Sequence, residues 1–376
     1  MKKKRCSAVL ALLLGLAILF GAAAGAAPAD DARAAALGYL REKVPSPAAD
    51  SVGGEWALIA QARAGQLAEA QKSAYLANLE RSIRANATVD AATGAARFSR
   101  LTDNARAVLA LTSVGIDAAR FQEYDLISAL PDLAQLQRQG VPAVAYALLA
   151  LDSGNYLNHS QGGEFRSSAV EWLTGHAAAT GGWNLAGSAT GAAAPDITGM
   201  VLQALAPYSN AGEDAARAAV RSALDALQTM QDADGGFCFE DEGKTAESAA
   251  QVLAGLAAMG ESGALFDGAL GNLLTYQEAG GGFRHTEDGA VNQMATEQAA
   301  LALVACDRFA KGETALYDMS DVALAPFAPA APAAPEPKPD SGTAAKHWWK
   351  DMNLFLKIFL GIITLGLVPL IGMLSA

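Results

Sequence analysis

Gly181-Gly182-Trp183, Gly235-Gly236-Phe237 and Gly281-Gly282-Phe283 state one pattern three times, a glycine pair followed by an aromatic residue. Ten to fifteen residues behind each comes a stretch with a polar head and a body of small and apolar residues: Asp196–Leu205, Glu247–Leu256 and Ala295–Leu303. The aromatics lie 54 and then 46 residues apart. A period of that length marks helix-pair repeats, in which each pair buries its apolar face only by stacking on the next.

Outward from this region, alternating β-branched runs are absent and Ala and Leu dominate, so the domain reads as helical. Twelve helices are predicted, in six pairs. The first members, at Asp31–Lys43, Leu67–Ala85, Glu123–Gln139, Phe165–His176, Gly212–Gln231 and Ser262–Gln277, are amphipathic. The second members, at Glu55–Arg63, Thr102–Val114, Pro142–Ser153, Asp196–Tyr208, Ala246–Met259 and Gln293–Phe309, are small and apolar on all sides, which means buried. Gly65, Gly115, Gly154 and Gly260 read as left-handed caps, and Pro207 as the end of another helix. Alternating buried and amphipathic helices predict an all-α fold, an (α/α)6 toroid of two concentric rings. An open superhelix of helix pairs is the alternative; six pairs is the number that closes.

The ends differ from the middle. Residues 1–27 read as a signal peptide: Lys2, Lys3, Lys4 and Arg5, then an apolar core at Ala8–Phe20, then small residues. An uncleaved anchor is the other reading. Leu354–Leu374 is apolar apart from Lys357 and long enough, at about 1.5 Å per residue, to cross a hydrocarbon core of about 30 Å. The expected organisation is a signal peptide at 1–27, the toroid at 28–322, an Ala/Pro-rich stalk at 323–345 and a transmembrane anchor helix at 346–376. This places the toroid on the extracellular side of the cell membrane, although the basic residues flanking the anchor run against the positive-inside preference. The net charge is −12, with no basic patch in the middle of the chain, which argues against a nucleic-acid partner. Cys238 and Cys306 are the cysteines left after signal removal, too few for a disulfide framework.

The loops Gln231–Phe237 and Gln277–Phe283 resemble the repeats of the prenyltransferase and squalene-cyclase superfamily, whose members are built on an α/α toroid. Two helices are similar to those of the cobalamin carriers, transcobalamin and intrinsic factor: Asp196–Leu205, and Ser248-Ala-Ala-Gln-Val-Leu253. That resemblance implies Gln251 as a contact to a corrin ring, and Asp196 as a second. The carriers close over their ligand with a C-terminal β-rich domain, for which a stalk and anchor stand here. Capture of cobalamin would therefore call for a lid-domain or transporter partner.

The catalytic signatures of the superfamily are missing. There is no Asp-x-Asp-Asp string, and no Cys or His at the inner-helix heads where prenyltransferases hold zinc. Cys238, His285 and Glu247 could supply three metal ligands, or be a free thiol, a solvated imidazole and a helix-head carboxylate. What remains is a set of polar residues at inner-helix heads: Asp103, Arg106, Asp196, Thr198, Glu247, Gln251, Thr296 and Glu297. Helix heads attract such residues simply to cap free N–H groups. Converging on one mouth of a toroid, they would also make a ligand site. The sequence reads best as a membrane-tethered extracellular binding protein, with cobalamin as the most specific candidate ligand. A prenyltransferase- or cyclase-like or glycan-active enzyme, and a surface interaction module, are the alternatives.

Overall fold

Alanine, leucine and valine cover every face of the inner helices, which leaves those helices no side to offer to water. In Val141–Ser153 every residue except Asp152 is buried, and in Ala246–Met259 every residue except the last two. The computed structural model describes residues 28–156, 162–240 and 243–328. The signal peptide expected at 1–27, the anchor helix at 346–376 and most of the stalk lie outside these residues. No helix among the described residues is long and apolar enough to cross a membrane.

The chain is mostly helical. Helix α1 is described over 28–43. It is followed by α2 (Glu55–Arg63), α3 (Glu69–Asn86), α4 (Leu101–Ser113), α5 (Leu133–Gln139) and α6 (Val141–Ser153). Then come α7 (Gly162–Gly175), α8 (Pro195–Asn210), α9 (Asp214–Met230), α10 (Ala246–Met259), α11 (Ala264–Thr275) and α12 (Gln293–Ala310). The even-numbered helices touch in sequence from α2 through α4, α6, α8 and α10 to α12, and α12 returns to α2, so they form a closed ring. Outside it, α5 and α7 lie on α6, α9 on α8 and α11 on α10. The closest crossing is α8 on α10, where a Cβ on Gly199 would sit 2.2 Å from the Gln251 carbonyl oxygen.

The glycine-aromatic loops tie each outer helix to the next. A Cβ on Gly181 would lie 2.2 Å from Ser222 O in α9, one on Gly235 2.1 Å from Gly268 O in α11, and one on Gly281 2.3 Å from Ala35 O in α1. The last of these joins the end of the helical region to its beginning. Gln277 repeats the closure: its amide donates to Ala32 O (2.8 Å) and to Gly281 O (3.2 Å). Trp183, Phe237 and Phe283 are fully buried between the layers.

Four details differ from the sequence reading. The helix expected over Glu123–Gln139 is helical only from Leu133. Asp125 instead folds back to accept the Ile127 N–H (2.8 Å), and Asp132, after Pro131, caps α5 by accepting the Gln135 N–H (3.0 Å). Pro207 does not end α8, which continues to Asn210. Gly154 has a φ of −112° and is no left-handed cap; its neighbour Asn155 takes the positive angle, +53°. The first residues of the expected stalk are ordered: Ala325–Phe327 forms strand β6, parallel to Ile116–Phe121 (β3), with Phe121 and Phe327 stacked at 5.5 Å. Two short antiparallel pairs, β1 (Thr88–Val89) with β2 (Ala96–Arg97) and β4 (Cys238–Phe239) with β5 (Gly243–Lys244), complete the strands among the described residues.

The segment 313–327 runs as a strap across the end of the ring where the even-numbered helices finish. Arg63 and Arg308, both buried, hold it by binding the two Asp321 oxygens at 2.8 and 2.7 Å. Arg63 also donates to Leu316 O (2.9 Å) and Arg308 to Thr314 O (2.9 Å).

Candidate functional site

At the opposite mouth, the N-terminal ends of α2, α4, α6 and α8 surround a cavity of about 450 Å³. Its walls are largely apolar, with Trp56, Tyr146, Ile197, Met200 and Phe239 among them; Arg106, Asp196 and Glu240 are its charged members. Trp56 and Tyr146 pack with ring centroids 5.2 Å apart. Tyr146 also meets Tyr317 of the strap edge-on at 6.4 Å.

Deeper in the ring, three buried glutamines are linked. Gln203 donates its amide to Gln251 Oε1 (3.0 Å), and Gln251 in turn donates to Gln298 Oε1. This amide ladder spans α8, α10 and α12. On α8, Asp196, Ile197 and Met200 face the upper cavity, while Gln203, Ala206 and Pro207 line a smaller one of about 290 Å³ at the strap end. Among the described residues the larger cavity is thus an apolar cup at the N-terminal end of the ring.

Asp196 heads α8 and is 5 % exposed. Burial pushes its carboxyl up to about 6, and the nearby charge of Glu247 adds to the rise; the N–H groups at the head of the helix pull the other way. Arg106 is buried and pairs with Asp103 at 2.8 Å and with Glu55 at 3.6 Å. Glu55, at the head of α2, is likewise raised by burial, which the neighbouring Arg106 only partly offsets.

The eight residues expected at helix heads separate in space. Asp196 and Arg106 line the cavity, and Asp103 stands behind Arg106. Glu247 turns away to His285 Nδ1, 2.8 Å distant. Thr198 and Thr296 hold the glycine-aromatic loops, accepting the Trp183 N–H (3.0 Å) and the Phe283 N–H (2.8 Å). Gln251 lies in the amide ladder, and Glu297 accepts the Gly53 N–H at 2.8 Å. Cys238 is exposed, and no group of three or more His, Cys, Asp or Glu side chains among the described residues could hold a metal ion. Three contributors escaped the sequence reading. Glu55 was detectable as the one acid of α2; Phe239 and Glu240 reach the cavity from a loop that no periodicity marks.

No family model matches the chain, and neither does any curated protein. Among solved structures, ent-copalyl diphosphate synthase from Streptomyces platensis is similar at a TM-score of 0.42 and 22% identity. The similarity covers 66% of this chain and 49% of that one, so this chain spans about half the length of the structure it matches.

Proposed function

We propose that the protein is a binding protein whose ligand is a small, mainly apolar molecule carrying one hydroxyl or amino group, seated in the mouth cavity with that group on Asp196. The observation that carries this is the cup itself: about 450 Å³ with apolar, aromatic-rich walls and a buried carboxyl at the head of α8. Binding sites for small molecules combine such walls with a few placed polar groups. A corrinoid, the ligand suggested by resemblance, is too large to be enclosed by this cup, and the Gln251 amide that would meet it is engaged by Gln203 and Gln298. A corrinoid would have to lie over the mouth under a separate lid. The ends of the sequence support display of the cup at the outer surface of a membrane.

Calorimetric titration of the full chain with adamantanol and adamantylamine, rigid apolar cages with one polar group each, tests the reading. Binding of at least one in the micromolar range is expected, weakened about tenfold or more by Asp196→Asn for the amine. Heat from neither probe at millimolar concentration would sink it.

A second reading has one observation behind it. A carboxyl held near 6 inside an apolar, aromatic-walled cup can act as a proton donor at neutral pH. On that reading Asp196 protonates a leaving oxygen of the bound molecule as its bond to carbon breaks and water takes its place on the carbon, and Asp196→Asn abolishes turnover while leaving neutral-ligand binding intact.

A further inference from the structure

A second cavity, of about 570 Å³, lies beside the first, between α2, α3 and α4, and its walls are polar: Asp50, Glu55, Ser82, Asn86, Arg100 and Asp103. Arg106 lines both cavities. On each side of it, consecutive residues divide between the two. Glu55 faces the polar cavity and Trp56 the apolar one; Asp103 faces the polar cavity and Thr102 the apolar one. The Arg106 side chain is therefore the shared wall. We infer that the two cavities form one bipartite site for an amphipathic ligand with an apolar body and a polyhydroxylated head, its junction at Arg106. This deepens the reading that the apolar cup holds a ligand and rests on it.

The chemistry of the junction selects the head. Arg106 Nε and Glu55 Oε2 are buried, lack hydrogen bonds, and lie 3.6 Å apart, just too far to satisfy each other. Buried polar atoms without hydrogen bonds are costly, so a ligand group that completes them gains affinity. A small turn of these side chains toward the polar cavity would admit an oxygen about 2.8 Å from each atom, closing a triangle on that base. A hydroxyl accepts from Arg106 Nε and donates to Glu55 Oε2 when that carboxyl is charged, or accepts from both when burial keeps it protonated; an ammonium can accept from neither. Because a hydroxyl both donates and accepts, it suits either protonation state of Glu55. The rest of the polar cavity repeats this mixture. Ser82, Ser99 and Asn86 offer both donors and acceptors, and the charges of Asp50 and Asp103 stand against those of Arg100 and Arg106. Such a near-neutral, mixed lining matches a sugar-like head better than a phosphate or a simple amine.

Adamantanol and its β-glucoside, titrated calorimetrically into the full chain, test the inference. The glucoside is expected to bind at least about tenfold more tightly, and Ser82→Leu, which fills the polar cavity from half-buried α3, is expected to remove that gain while leaving adamantanol unchanged. Asn86→Leu, at the exposed end of α3, checks the same cavity from a position with little bearing on folding. Adamantanol binding with no gain for the glucoside overturns the inference and leaves the cup reading standing, as does a gain that survives both substitutions. Binding of neither compound overturns both.

Discussion

The Glu297 carboxyl accepts the Gly53 N–H at 2.8 Å, joining the last helix of the ring to the turn that opens the first. Glu297 is fully buried and also accepts from Gln293 at 2.7 Å, while its second oxygen has no hydrogen bond. Burial pushes this carboxyl up to about 8. The folded chain therefore holds the proton more tightly than the unfolded one, whose glutamate titrates near 4.5. Stability from this group is fully present below about 4.5 and is lost as pH rises toward 8, with a limiting slope of about 1.4 kcal/mol per pH unit. Glu297→Gln keeps an acceptor for Gly53 and removes the titration. Denaturant midpoints measured from pH 5 to 8 should fall less steeply for the variant, which should match or exceed the wild type at pH 8. Parallel curves would refute the assignment of a buried neutral acid.

Closure on the outer side makes a separate prediction. Gly281 adopts a φ of +90°, and a Cβ there would meet the Ala35 carbonyl of α1 at 2.3 Å. Gly281→Ala should cost about 2 kcal/mol or more, from left-handed strain together with displacement of α1. Gly280→Ala, one residue away, meets nothing within 4 Å and has no positive φ. It should be neutral or stabilising by about 0.4–1 kcal/mol through the unfolded chain. Equal losses in chemical denaturation would mean that the contact with α1 is not what fixes this loop.

One carboxylate of the strap bridges two arginines of the ring. Asp321 neutralises both Arg63 and Arg308, whose side chains are 3% and 7% exposed, whereas its own is 38% exposed. Asp321→Ala leaves the buried Arg63 guanidinium without its ion-pair partner and Arg308 with Glu313 alone, at 2.9 Å. Removing one partner of a buried pair costs about 3–5 kcal/mol. Water access at the aspartate reduces the expected loss to about 1–3 kcal/mol. Limited proteolysis should then cut between Glu313 and Phe327 first, and protection equal to the wild type would count against the strap being held there.

The inner helices were legible because their sequences leave no polar face: Ala246–Met259 and Glu55–Arg63 have the same limits in the sequence and in the structure. The glycine pairs were legible as turns, but not their contacts, since Gly281 meets Ala35, 246 residues earlier in the chain. β3 and β6 were missed because their pairing joins distant segments, and neither alternates apolar with polar residues. At the site, sequence placed Asp196, Glu247, Thr296 and Glu297 alike at helix heads. Only packing separates a carboxyl that faces the cup from one that seals a turn, and periodicity along a helix does not carry that distinction.

Asp196 gives the binding reading its pH dependence. Burial in the cup raises its carboxyl from 3.8 to about 6, so the charged form dominates only above that value. An ammonium ligand needs the carboxylate. Its affinity should be greatest above pH 6 and fall by up to about tenfold per pH unit below it, because each bound cation must first displace a proton from Asp196. Around pH 6 the measured heat should vary with the ionisation enthalpy of the buffer, reporting the proton released. A neutral alcohol has no such requirement, and its affinity should change little over the same range. Asp196→Asn should flatten the amine profile at the level of the alcohol. An amine profile in the variant that keeps the wild-type inflection would place the titrating group elsewhere.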